Sequence, residues 1–292
     1  MFVVAGATGK TGSVVAATLL ERKQSVRVIV RTSDQGAAWK AKGADVAVAS
    51  LEDAEALTSA LKGATSGYFL VPPNYEASQY LNDRKRLIDA LTTAVSSSDL
   101  RHLVLLSSIG AQIPTGTGPI GALHYAEGRL GAVARSMTIV RAPYFMENWM
   151  PLVNAARTQG ILPSFLSAGR KIPMIAACDI GHIAAECVLD QPKGRRVLEL
   201  SGPHEYSPDD VAAVLGEHFH RRVTVQQLPL RAVAPTLTSM GWSDNVATLF
   251  EEMYDGLDSG RITWEGNGAC RPRGLVTLSE AVSSWTPSPA KR

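Results

Sequence analysis

One run near the start of the chain restricts its fold more than any other: Val3-Val4-Ala5-Gly6-Ala7-Thr8-Gly9-Lys10-Thr11-Gly12, followed by Ser13-Val14-Val15-Ala16-Ala17-Thr18-Leu19-Leu20. An apolar stretch feeding three glycines and then a helix-forming segment reads as a buried strand, a tight turn and a helix N-terminus. Such an end presents free N–H groups and the positive end of the helix dipole, which together attract an anion. Gly6 permits the turn, Gly9 leaves the approach of a diphosphate clear of a Cβ, and Gly12 lets the helix lie close on the strand. The spacing is G-x-x-G-x-x-G, and its context is what gives it weight: Val26-Arg27-Val28-Ile29-Val30-Arg31 follows as a second strand.

Strand and helix then alternate. A short polar helix over 37–42 precedes a third strand, 44–49, and Ser50-Leu51-Glu52-Asp53 reads as a capping box opening a helix that Gly63 stops. Gly67-Tyr68-Phe69-Leu70-Val71 is a fourth strand ended by Pro72-Pro73, because proline cannot donate to a ladder. A long helix over 76–95 leads to Leu103-Val104-Leu105-Leu106, an unalternating run suited to a parallel strand buried on both faces, and a helix over 123–135 to a strand over 137–141. The repetition predicts a doubly wound, mostly parallel α/β sheet with ligand at the carboxyl ends of its strands. We expect residues 1–142 to form this domain, with 179–200 returning to it. The segments 143–178 and 201–286 would make a smaller substrate lobe, and 287–292 a disordered tail. In that lobe, Ser207-Pro208-Asp209-Asp210 is a strong helix start.

The net charge of +2 over 292 residues, with no Lys/Arg block, gives no support to a nucleic-acid surface. Three cysteines without metal spacing argue against a disulfide framework or a metal site and fit a reducing cytoplasm. Met1 runs straight into the first strand and no apolar run reaches the length of a membrane span, so the expectation is a soluble, intracellular protein, monomer or homodimer.

Taken together, Gly6 to Gly12, Arg31 after the second strand, Phe69-Leu70-Val71-Pro72-Pro73, Ser107-Ser108-Ile109-Gly110, the run Thr138 to Asn148 and Asp179-Ile180-Gly181 resemble the NmrA-like branch of the atypical short-chain dehydrogenases/reductases. The resemblance covers nearly the whole chain and implies a Rossmann sheet. It also implies an NADPH-dependent oxidoreductase transferring hydride to a small apolar carbonyl, enone or quinone. The family also contains regulators, so an NADP(H)-binding redox sensor without turnover, or an NAD(P)-dependent isomerase or epimerase, stands as the alternative.

Arg31 decides the cofactor. At the tip of the second strand an acid would accept from a free ribose hydroxyl, whereas an arginine fork meets a 2′-phosphate, with Thr32 and Ser33 adding hydroxyls; the reading is NADP. Thr8, Lys10 and Thr11 join the glycines around the diphosphate, Leu51 is placed on the adenine, and Val71-Pro72 near the nicotinamide ribose. Ser107 and Ser108 stand where the larger superfamily places its catalytic serine, and Tyr125-Ala126-Glu127-Gly128-Arg129 where it has Tyr-x-x-x-Lys. One helical turn apart, Tyr125 and Arg129 are either a proton donor with its activating cation or a structural pair bordering the pocket. His124 is a second candidate donor. Pro143 and Tyr144, with Phe145 and Met146, are expected to wall the nicotinamide and acceptor. Asp179 is expected to cap a helix.

Overall fold

The computed structural model of the chain describes residues 1–266 and 270–285. The tail expected over 287–292 lies outside the described residues. The first half builds β1 Phe2–Ala5, α1 Lys10–Glu21, β2 Val26–Val30, α2 Ser33–Ala41, β3 Asp45–Val48, α3 Ala54–Ala60, β4 Ser66–Leu70, α4 Tyr80–Ser96, β5 His102–Ser108, α5 Gly121–Val133 and β6 Ser136–Ala142. There follow β7 Tyr144–Phe145, α6 Val153–Gln159, β8 Ile161–Ser164, β9 Ile172–Ile175, α7 Ala177–Asp190, β10 Gly194–Glu199, β11 Glu205–Tyr206, α8 Pro208–Phe219, β12 Thr224–Gln227, α9 Val233–Ser239, α10 Asp244–Ser259 and α11 Leu278–Trp285.

Seven strands form one parallel sheet in the order β10-β6-β5-β4-β1-β2-β3. Strand order reverses beside β1, whose neighbours are β2 and β4, and this opens the crevice where such sheets bind ligands. Alternate residues of β1 serve opposite faces: Val4 packs with α1 and α7, while Val3 and Ala5 pack with α3, α4 and α5. Burying each such valine completely contributes roughly 1.5 to 3 kcal/mol.

The helix after the third strand starts later than the capping-box reading had it. Asp53 is the N-cap, its carboxylate accepting from Glu55 N and Ala56 N at 3.1 and 3.0 Å, while Ser50 Oγ accepts from Glu52 N in the preceding turn. Asp179 is likewise no cap. It sits inside the first turn of α7 and accepts from Val276 N at 2.9 Å, holding the C-terminal segment to the sheet domain. The start of α8 is as expected, with Ser207 and Asp210 reciprocally bonded and Pro208 in the first turn.

Leaving β6, the chain enters two small sheets, β11-β9-β7 and β12-β8, which gather with α6, α8 and α11 around Trp149, Leu162, Val211 and Leu215. The α7 segment returns to pack on α1, with Gly181 so close to Val14 that a Cβ would overlap it, and β10 then joins the large sheet beside β6. Residues 270–274 run along the outer edge of β10, taking and giving the backbone bonds Glu199 N to Cys270 O, Ser201 N to Pro272 O and Gly274 N to Ser201 O. That covers an edge otherwise open to another strand. Among the described residues, no helix is long and apolar enough to cross a membrane.

Candidate functional site

The glycine turn has the expected geometry. Gly6 has φ +70°, in the left-handed region, and a Cβ on Gly12 would overlap the Gly6 carbonyl, so turn and helix approach too closely for any side chain there. At Gly9 the only neighbour a Cβ would meet is that same carbonyl, at 3.3 Å, which leaves its outer side open. Gly9 is also the N-cap of α1 and offers no side-chain cap, so the N–H groups of Lys10, Thr11 and Gly12 remain for an outside acceptor. Thr8 and Lys10 are exposed, and among the described residues the Lys10 ammonium has the Met150 thioether beside it, at 3.7 Å. Thr11 differs from expectation in its side chain. The hydroxyl is buried and accepts from Tyr68 Oη at 2.8 Å, so only its backbone faces the turn.

Arg31 leaves β2 exposed, and Thr32 is the N-cap of α2 with no side-chain cap bond. Arg31 N donates to Gln35 Oε1 at 3.1 Å, while nothing among the described residues engages its guanidinium. A free arginine fork above an uncapped helix start is the arrangement a phosphate monoester fits. Leu51 and Val71 are half-buried against the α3–α4 side of the core. The Pro72 carbonyl accepts from Arg84 Nη1 at 2.9 Å. Arg84, on α4, is buried and its Nη2 lies 3.5 Å from Glu52, so one guanidinium ties together the two loops that carry Leu51 and Val71-Pro72. The signal for it was present: Arg84 stands on the same helical stripe as Leu87, Ile88 and Leu91.

The superfamily-like set at the end of β5 divides between two faces of α5. Helical spacing does put Tyr125 and Arg129 on one face of α5, but that face turns to α4, where Asp89 meets both. Tyr125 Oη donates to Oδ1 and Oδ2 at 2.9 and 3.2 Å, and Arg129 Nε reaches Oδ1 at 2.9 Å. Desolvation and the Asp89 carboxylate hold this phenol above its ordinary value, the reverse of an activated acid. Ser108 Oγ donates to the Ile109 carbonyl at 2.9 Å, and His124 Nδ1 donates to the Ala111 carbonyl at 2.8 Å, which leaves Nε2 an acceptor in the neutral ring.

Ser107 is buried, and its Oγ donates to Glu127 at 2.7 Å. Glu127, on the opposite face of α5 from Tyr125, also takes a fork from Arg141: Nε to Oε1 at 2.9 Å and Nη2 to Oε2 at 2.7 Å. In strand register Ser107, Arg141 and Glu199 form one row across β5, β6 and β10. Arg141 Nη1 reaches Glu265 at 2.6 Å, and Glu199 accepts from Glu265 N and Gly266 N at 2.6 and 3.2 Å. Burial opposes the charge on Arg141, yet Glu127 and Glu265 outweigh it and keep the guanidinium protonated. This network underlies the two loops, after β5 and after β6, that lead to the site.

Pro143 is buried and Tyr144 follows it with its ring 6.0 Å from that of Trp149. Met146 is fully buried, and Glu147 accepts from Ala177 N at 3.0 Å, fastening this loop to the start of α7. Desolvation by burial holds the Tyr144 phenol well above its ordinary value, and Tyr254 of α10 adds to the rise. Tyr254 was not legible beforehand, because in sequence it is one more residue on the amphipathic helix α10.

Residues 6–148 match the model of a family described as NAD(P)H-binding. The chain is 27% identical to the NAD(P)H azoreductase of Xenophilus azovorans over 255 residues, 87% of this chain and 86% of that one. It is 26% identical over 290 residues to quinone oxidoreductase 2 of Escherichia coli strain K12, covering 97% and 98%. The crystal structure of an E. coli NADPH-dependent quinone oxidoreductase complexed with NADPH, 25% identical, superposes with a TM-score of 0.79 over 97% of this chain and 99% of that one. The match to the family begins at Gly6, the first glycine of the turn, and ends at Asn148, in the loop that closes the sheet's last expected site segment, and it identifies residues 6–148 as an NAD(P)H-binding unit of the Rossmann type.

Proposed function

We propose that this chain is an NADPH-dependent reductase of quinones and related small conjugated carbonyl compounds, within the NmrA-like branch of the atypical short-chain dehydrogenases/reductases. Its cofactor domain would comprise residues 1–142 with 179–200 returned to it, and its acceptor lobe the intervening and following segments. The observation that carries this reading is the unpaired Arg31 guanidinium at the uncapped start of α2, in a chain alike from end to end to a quinone reductase solved with NADPH.

The bound nicotinamide supplies the hydride. The free N–H groups at the start of α1, backed by Thr8 and Lys10, bind and orient the diphosphate, and Arg31 with Thr32 selects the 2′-phosphate. Leu51 gives the adenine an apolar surface, and Arg84 fixes the Pro72 carbonyl beside the nicotinamide ribose. Ser107, Ser108, His124, Pro143 and Tyr144 border the position from which hydride leaves, and the aromatic side chains beyond Tyr144 exclude water. In this reading Tyr125 and Arg129 fasten α5 to α4 and move no proton.

The test is consumption of NADPH by the purified protein with a panel of quinones, enones and ketones, followed by absorbance. Steady consumption with quinones and a clear preference over NADH is expected. A protein that binds NADPH tightly but oxidises it with none of these acceptors overturns the reading.

A further inference from the structure

No backbone ladder links the loops after β3 and β4, because β1 and β2 lie between those strands in the sheet. A side chain joins them. Arg84, in the second turn of α4, has 5% of its side chain exposed; it donates through Nη1 to the Pro72 carbonyl at 2.9 Å and brings Nη2 to 3.5 Å from Glu52 Oε1. The centre of the Tyr80 ring lies 5.9 Å from the guanidinium carbon, and Nε is buried without a partner among the described residues.

Stability alone does not account for this arginine. Its position belongs to the apolar stripe of α4 that carries Leu87, Ile88 and Leu91, where an aliphatic side chain would bury without a desolvation cost. A buried cation facing a mostly exposed carboxylate, with Nε idle, bears a cost that the attraction of such a pair offsets poorly. Its fork does something an aliphatic chain cannot.

Each arm of the fork grips a short, stiff segment. Pro72 and Pro73 have no N–H, so this stretch can be hydrogen-bonded only through its carbonyls, and Arg84 takes the first of them. Farther on, the loop is fastened from the other side, Ser243 N donating to Tyr75 O at 2.9 Å and Ser243 Oγ to Ala77 O at 2.7 Å, so the part whose place depends on Arg84 is the part next to β4. Glu52 follows Leu51 directly, in a turn closed by Asp53 N to Ser50 O and by Glu52 N to Ser50 Oγ, each at 3.2 Å, so its carboxylate moves with Leu51.

We propose that Arg84 is a positioning residue that couples the two halves of the cofactor site, an adenosine phosphate half beside Leu51 and a nicotinamide mononucleotide half beside Val71-Pro72. Filling the adenosine half sets the turn 50–53; Glu52 and Arg84 carry that setting to the Pro72 carbonyl, and the nicotinamide half is held in one place as a result. The coupling is reciprocal, since it is an equilibrium between two ligands. The proposal rests on the NADPH reading above, and it assigns the effect to the fork and not to the charge alone.

The two halves can be offered separately. Reduced nicotinamide mononucleotide, followed by its own fluorescence, should bind the wild-type protein about tenfold more tightly when adenosine 2′,5′-bisphosphate is present, an ordinary size for coupling between two sites. Arg84→Met keeps the stem and loses the fork, while Glu52→Ala removes an exposed carboxylate and hardly touches stability. Either should bring the gain below about twofold, the double variant should lose no more than each single one, and adenosine bisphosphate alone should bind all three within about twofold of wild type. Arg84→Lys should not restore the gain, because one ammonium cannot fork to two loops. In quinone turnover, kcat/KM for NADPH should fall by the same factor in each single variant, and that for the reduced mononucleotide alone should not change. A wild type that binds the two halves independently, a gain that survives in Glu52→Ala, or a gain restored by Arg84→Lys overturns the proposal. Coupling through Arg84 in a protein that reduces no quinone upholds the proposal and removes the reductase reading, and turnover without coupling does the reverse.

Discussion

Tyr125 Oη donates to Asp89 Oδ1 at 2.9 Å, across the interface between α5 and α4, and Arg129 Nε takes the same oxygen at the same distance. The Tyr-x-x-x-Arg pair, open in sequence to a proton donor with its cation or to a structural pair bordering the pocket, bridges α5 to α4 through Asp89. Lys85 completes it, its Nζ 5.5 Å from the centre of the Tyr125 ring.

Tyr125→Phe should accordingly leave kcat with quinone and with ketone within about twofold of wild type, and cost about 0.5 to 1.5 kcal/mol of stability for the one hydrogen bond lost. Turnover and urea denaturation of the same preparation measure both. A hundredfold fall in kcat, the usual effect of removing a general acid, would restore Tyr125 to the chemistry.

Glu127→Ala should cost about 3 kcal/mol, the lower end of the range for opening a buried ion pair, because Glu265 still faces Arg141 when Glu127 is gone. Glu127→Gln keeps the shape and an acceptor for Ser107 and should recover part of that loss. Denaturant midpoints of the three proteins give the comparison, and an Ala variant as stable as wild type contradicts the account of the network.

Arg31→Ala should weaken NADPH binding between about tenfold and a hundredfold, as expected for a charge-assisted contact of roughly 1.5 to 3 kcal/mol, and leave NADH unchanged. Titration with the two cofactors reads the difference. Equal weakening of both would assign Arg31 to general electrostatics.

Gly9 and Gly12 should separate when substituted. Gly9→Val places its Cβ about where the open side begins, so the chain stays folded by circular dichroism while both cofactors lose binding. Gly12→Ala drives a methyl into the Gly6 carbonyl, so it should lower the denaturation midpoint as well as binding. Undiminished cofactor binding by folded Gly9→Val would make the turn purely structural.

His102, the first residue of β5, is buried with Nε2 unpartnered, and Nδ1 pairs with Ser136 Oγ at 2.8 Å. Burial, then the nearby Arg196, push its pKa from 6.5 down to about 4, against a smaller pull upward from Asp190. The folded state thus holds the ring neutral while the unfolded chain protonates first. Its contribution is complete above the unfolded value, is lost as pH falls from there through the folded value, and amounts to on the order of 3 kcal/mol at most. Denaturation at neutral pH and near pH 5 should show this loss in wild type and a smaller one in His102→Asn; identical slopes would assign the pH dependence elsewhere.

The sheet was legible because its signals are local. Val3 to Gly12 carries a strand, a turn and a helix in ten adjacent residues, and each later strand of the first half announces itself by an apolar run of the right length. Element ends moved by a few residues where neighbouring residues offered competing local caps, as Ser50 and Asp53 do, and Asp53 takes the helix N–H groups. β7, β9 and β11, two to four residues each, have no pattern long enough to read, and their pairing is set by what surrounds them. The geometry of Gly6, Gly9, Gly12 and Arg31 could be read because the groups concerned are backbone amides and a strand-end side chain, whose positions follow from strand, turn and helix alone.

The residues around the loops after β5 and β6 are a different case. Which face of α5 meets the strand ends depends on how that helix rolls against α4, and this roll sends Glu127 inward to Ser107 and Arg141 while Tyr125 goes to Asp89. Tyr144 and Tyr254 come from β7 and α10, 110 residues apart, and no spacing in the chain relates them. The sequence by itself determined the cofactor half of this protein, since a helix dipole and a glycine turn are properties of short segments. Only the tertiary structure decided the surroundings of the loops after β5 and β6, since they are formed by side chains whose direction is set by packing between helices and by the path of the later chain over the sheet.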